Sequence, residues 1–175
     1  MAQAVPTGPV APGPTAAAVS FALVMSAGVA LLTWRAPVVD RAVDRTADAS
    51  PLTPLYGLAA FGLVVVVGAL LVSQAATVGL GGPALRLGGT VLVAAAVVCL
   101  AAFGYLVVGT SITGLWGPRQ PWVGAVVGAV LSAVPVFVLP RLPGLAAWLL
   151  VAALGLGAPT RHYVHEDRGD SVTEG

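Results

Sequence analysis

Lysine and asparagine do not occur in this 175-residue chain, and isoleucine occurs once, at Ile112. All three residues use A/T-rich codons, so their scarcity reads as a GC-rich prokaryotic genome. The choice of arginine for every fixed cation then carries no functional weight. Cysteine is nearly absent as well: Cys99 stands alone. A single thiol excludes an intramolecular disulfide and any cysteine-based zinc site. Charge is scarce, at 9% of residues with a formal net charge of +1. Ordinary soluble domains carry about a quarter charged residues, so this chain lacks the polar surface to cover a water-soluble fold. No basic stripe appears, which excludes a nucleic-acid partner of the usual electrostatic kind. Nor is there a P-loop, a dinucleotide fingerprint, a GxSxG elbow, an HExxH pair or a convincing internal repeat.

What is there is apolar. Hydrophobic residues make up 58% of the chain, and mean hydropathy is +0.96. The fold class that follows is all-α: a polytopic integral membrane protein whose partner, before any other, is the lipid bilayer. Residues 1–14, "MAQAVPTGPVAPGP", have the proline, glycine and alanine content of a disordered lead. Residues 15–34 then supply twenty uncharged positions. At 1.5 Å per residue that crosses a hydrocarbon core of ~30 Å. The run is longer than a usual signal-peptide core and no Arg or Lys precedes it, so it reads as a retained span.

Four more apolar stretches follow, at about 55–78, 87–110, 122–139 and 142–158, within a transmembrane domain of 15–158. The last two are short and bracket only Pro140 and Arg141. Five spans are expected, with four spans or a re-entrant C-terminal hairpin as the alternative. The hairpin would put Arg141 near the bilayer centre, at a cost of at least ~2.5 kcal/mol. Between the first two spans, Asp40, Asp44 and Asp48 recur every fourth residue, as do Arg41 and Arg45, while Val39, Ala42, Val43 and Ala47 share another face. That spacing predicts an amphipathic helix lying in the membrane interface within the 35–54 loop.

Arginine counts orient the chain. With the N-terminus outside, Arg35, Arg41, Arg45, Arg119, Arg161 and Arg168 are inside, and Arg86 and Arg141 are outside. This obeys the positive-inside bias and predicts a cytoplasmic membrane protein with a cytoplasmic tail at 159–175. Trp34, Tyr56, Trp116 and Trp122 stand at span ends, where amphipathic rings prefer headgroup depth; Trp148 does not, and is expected to pack on a neighbouring helix or lipid.

No Asp, Glu, Lys, Arg or His lies within the five spans. Ion-coupled transport and intramembrane proteolysis use such groups at membrane depth, so neither is expected. Gln74 is the strongest polar side chain there, and reads as an amide near the far interface rather than a cavity lining. Pro135 should bend the fourth span by freeing the carbonyl of Leu131. The positive signal is small residues: Ala18, Ala22, Ser26 and Ala30 at every fourth position of the first span, and Gly124, Gly128 and Ser132 in the fourth. Such stripes let two backbones approach closely, within one chain or between chains.

Two clusters resemble chemistry. The aspartate series, interleaved with arginines, lacks the context of a divalent-metal motif and reads as a solvated face. In "RHYVHED", His162, His165 and Glu166 have helical spacing for a metal, but zinc wants three or four ligands held by a second layer of contacts. A charged tail does not provide one, so neither a metal nor a cofactor is expected. "RGDS" at 168–171 is treated as coincidence. The expectation is a non-enzymatic subunit or scaffold of a membrane assembly, with self-association or other membrane proteins as partners. The alternative is a small oligomeric channel or transporter for an uncharged or lipid-like substrate, gated near Pro135. A third reading, weaker than both, is an interfacial lipid-modifying enzyme using Asp40, Asp44 and Asp48.

Overall fold

The computed structural model describes residues 13–46, 53–75, 77, 82–118 and 120–166, with backbone only at 36, 45, 46 and 158–166. Five helices run in order: α1 Pro14–Thr46, α2 Thr53–Ala75, α3 Pro83–Gly114, α4 Pro121–Val138 and α5 Arg141–Glu166. No strand occurs among the described residues. Four stretches are long and apolar enough to cross a membrane: Pro14–Arg35, Thr53–Ala75, Pro83–Gly114 and Pro121–Val138. The apolar part of α5, Arg141–Gly157, is shorter. The chain is thus an all-α polytopic membrane protein.

α3 is the axis of the bundle and packs against all four other helices, while α2 leans chiefly on α5. Glycine explains how so little side-chain volume makes these contacts. A Cβ on Gly104 would collide with the Ala152 carbonyl, and one on Gly155 with the Gly104 carbonyl, so α3 and α5 touch backbone to backbone. The same holds between α3 and α4 at Gly109, Gly124 and Gly128, and between α2 and α5 at Gly57 and Gly157. Lipid tails are as apolar as leucine, so burying leucine gains little here. Close backbone approach gains dispersion contacts instead.

Three sequence expectations change. First, the expected amphipathic helix joins the first span directly, across a kink, rather than standing as a separate element. Arg35 has non-helical angles (φ −142°, ψ 33°) just before Pro37, and the chain kinks there and continues helically to Thr46. Proline lacks the N–H that would extend the ladder, which accounts for the break. Second, the apolar face of this kinked segment is not laid into lipid. Val39, Ala42 and Val43 are buried in a cluster with Leu32, Leu106, Val107 and Ala125, so the amphipathic helix packs on the bundle itself. The spacing was read correctly and the partner was not, because periodicity names a face but not what covers it. Ala47 and Asp48 lie outside the described residues, as do residues 1–12, Arg119 and 167–175. Third, the helices outrun the expected spans: α3 includes the "PALR" of the expected connection, and α5 passes Gly157 and Pro159 to Glu166.

Candidate functional site

Two arrangements stand out from the apolar background. The first is a chain of hydrogen bonds that ties four helices together at the bundle centre. Tyr105 of α3 is fully buried, and its hydroxyl donates to the Trp148 carbonyl of α5 at 3.0 Å. The indole Nε1–H of Trp148 donates to Ser20 Oγ of α1 at 3.1 Å. Ser20 Oγ in turn lies 3.3 Å from both the Oγ and the carbonyl oxygen of Ser132 on α4. Ser132 Oγ donates to the Ala129 carbonyl at 2.8 Å, which closes the chain on a backbone oxygen.

The rings of Tyr105 and Trp148 also meet, with centroids 5.7 Å apart and planes tilted by 50°. This is within the range of favourable tilted aromatic pairs. Each of the four side-chain donors, Tyr105, Trp148, Ser20 and Ser132, has an acceptor, so the arrangement satisfies its own polar groups. It has no ionisable carboxylate, imidazole or amine. Its chemistry is therefore that of a four-helix clamp: each link is worth ~0.6–2 kcal/mol in a membrane setting and fixes helix rotation.

Sequence reasoning did not single out Ser20 or Tyr105, and assigned Trp148 only to packing. A signal was present: Trp148 sits mid-helix rather than at a span end, where its N–H needs a partner. Nothing in the sequence pairs it with Ser20, because the two are 128 positions apart.

The second arrangement is the pair of small-residue stripes. Gly124, Gly128 and Ser132 are all buried, facing α3 and Ser20. Ala18, Ala22, Ser26 and Ala30 are all exposed. The inward face of α1 is instead formed by Ala17, Val24, Gly28 and Leu32. Ser26 Oγ donates back to the Leu23 carbonyl at 3.1 Å, so the outward stripe presents no unsatisfied donor. The two stripes were equivalent in sequence. The structure places one against the rest of the chain and, among the described residues, leaves the other exposed.

The remaining candidates are dispersed. Gln74 is exposed near the end of α2, and its backbone carbonyl accepts from Thr77 Oγ1 at 2.7 Å. Pro135 is half-buried within α4. Its carbonyl accepts from the Leu139 N–H at 3.1 Å and lies 2.9 Å from where a Gly144 Cβ would stand. Asp40 and Asp44 are exposed beyond the kink, and Arg41 Nε donates to the Pro37 carbonyl at 3.0 Å. His162, His165 and Glu166 fall in the last turns of α5; their side chains lie outside the described residues. Trp34, Trp116 and Trp122 are exposed and, with Tyr56, sit at the end of the bundle that carries Asp40 and Asp44.

No family model, curated protein or solved structure matches this chain. The class rests on its own helices: a multi-helix membrane protein with a self-satisfied polar clamp and a small-residue face exposed among the described residues.

Proposed function

We propose that this protein is a non-catalytic subunit or scaffold of a membrane assembly, joined to a second copy or a partner helix through the outward face of α1. Ala18, Ala22, Ser26 and Ala30 carry the reading: a repeat of the kind that packs α4 inside the chain is here exposed among the described residues. A flat small-residue groove lets a second backbone come near enough to gain dispersion contacts that lipid tails supply less well. The protein then lies in the cytoplasmic membrane, with its N-terminus outside and five spans. The place of α5 between α2 and α3 supports the fifth span, and the arginine distribution supports the orientation.

Single-molecule photobleaching in dilute proteoliposomes tests this. Wild type should bleach in two or more steps, or in one step with a co-purifying membrane protein. The Ala22→Leu/Ser26→Leu double variant should bleach in single steps, alone, with unchanged helicity. A wild type that is monomeric and free of partners in its native membrane would end the proposal.

A further inference from the structure

α2 and the first half of α3 meet along a face that the clamp does not use. The two helices touch at Gly68 and Gly89, where an added Cβ would meet the side chains of Val93 and Val72. Beside this contact lies an open groove of about 710 Å³ lined by Val65, Ala69 and Val72 of α2 and Arg86, Thr90 and Ala94 of α3. Its walls are apolar apart from two hydroxyls and one guanidinium. Both hydroxyls are committed: Thr90 Oγ1 donates to the Arg86 carbonyl at 2.8 Å, and Ser73 Oγ to the Leu70 carbonyl at 2.8 Å. Arg86 is left as the strong donor of the groove, with up to five N–H groups.

Among the described residues no carboxylate is placed to meet it. All seven acidic residues fall within 40–48 and 166–174. Asp40 and Asp44 stand beyond the C-terminal end of the α1 span, at the end of the bundle where α3 finishes; Arg86 is in the first turn of α3, at the other end. A second copy in the same orientation has the same distribution, so its described carboxylates, Asp40 and Asp44, stand at the far end as well. An apolar helix seated in the groove would bury that cation unpaired, which is costly.

From Arg86 to Ala94 the groove runs about 12 Å along α3 at 1.5 Å per residue, from headgroup depth into the hydrocarbon. One end asks for an anion and the rest for an alkyl chain. We infer that the groove binds an anionic phospholipid, its phosphodiester on Arg86 and one acyl chain along Val65, Ala69 and Ala94. The inference needs only the membrane class and not the α1 face, so either can fail without the other.

Native mass spectrometry of the full chain, released from vesicles of equal phosphatidylglycerol and phosphatidylcholine, tests it. Wild type should retain phosphatidylglycerol with a preference of about fivefold, the ratio one arginine gives at an anionic surface. Arg86→Gln should bring the ratio near parity. Arg141→Gln, on the same side but outside the groove, should leave it unchanged. Ala94→Phe, which fills the groove, should lower retention of both lipids. Added inorganic phosphate should displace nothing, because the acyl chain contributes most of the contact. The inference is overturned if Arg86→Gln keeps the wild-type preference, or if Arg141→Gln loses it equally. Release by inorganic phosphate, or a second copy cross-linked through Ala69→Cys, would also overturn it.

Discussion

The two halves of α3 belong to one helix with nearly uniform composition, yet they have different surroundings. From Ala101 to Thr110 every residue is buried or half-buried, and Tyr105 and Val107 have no exposed surface. From Pro83 to Ala96 only Gly89 and Val93 are even half-buried. Hydrophobicity does not separate the halves, since Val91 and Leu92 are as apolar as Leu106 and Val107. What separates them is where backbone can meet backbone. Gly104 and Gly109 each face a carbonyl of another helix, whereas Gly88 faces nothing within 4 Å. In a bilayer, burial follows fit rather than oiliness.

The sharpest way to break this comparison is to add the same side chain to each half. Gly104→Leu drives a Cβ into the Ala152 carbonyl, so it should destabilise the bundle by at least ~3 kcal/mol, the upper end for overpacking. Gly88→Leu should stay within ~0.5 kcal/mol of wild type. Thermal unfolding in one detergent, followed by circular dichroism, reads both, and equal losses would refute the distinction.

A charge at the foot of the bundle extends the test. Val39 is fully buried against Leu106 and Val107, while its neighbour Val38 is exposed. Val39→Asp should cost ~2–4 kcal/mol, because an unpaired carboxylate must be buried or the kinked segment must leave the bundle. Val38→Asp should cost under ~0.5 kcal/mol. Limited proteolysis between Arg35 and Arg45 should accelerate only in the first variant.

Smaller effects lie in the clamp. Tyr105→Phe removes the hydrogen bond to the Trp148 carbonyl and keeps the ring contact, so a loss of ~0.6–1.7 kcal/mol is expected. A double-mutant cycle of Ser20→Ala and Trp148→Phe should give a coupling of ~0.5 kcal/mol or more, and zero coupling would mean that the Nε1–H bond is not made. The smallest effect belongs to α2, where Leu63 is 64% exposed and Leu63→Ala should leave unfolding unchanged within ~0.5 kcal/mol.

Much of this fold is legible in the sequence for simple reasons. Uncharged runs separated by proline, glycine and arginine gave the helices, because the bilayer sets a length and forbids unpaired backbone. The amphipathic face of residues 39–43 was legible for the same kind of reason. Its burial on α3 was not, since a face that fits lipid also fits a bundle. The glycines of α5 were missed because Gly155 and Gly157 serve different neighbours, α3 and α2, and so make no single every-fourth stripe. The clamp was missed because its partners lie on four helices, and sequence spacing carries no information across helices. For the two small-residue stripes the sequence supplied identical signals, and only the position of α1 in the bundle tells them apart.

The contrast within α3 is tested most directly by spin labels and oxygen. Labels placed one at a time in a Cys99→Ser background, at Val91, Leu92 and Ala95, should collide freely with oxygen dissolved in the bilayer. Labels at Phe103, Val108 and Ser111, half-buried positions that tolerate a probe, should show low accessibility. That step between the halves is the predicted result. One unbroken helical periodicity of accessibility from residue 91 to residue 111, with no step, would contradict the account.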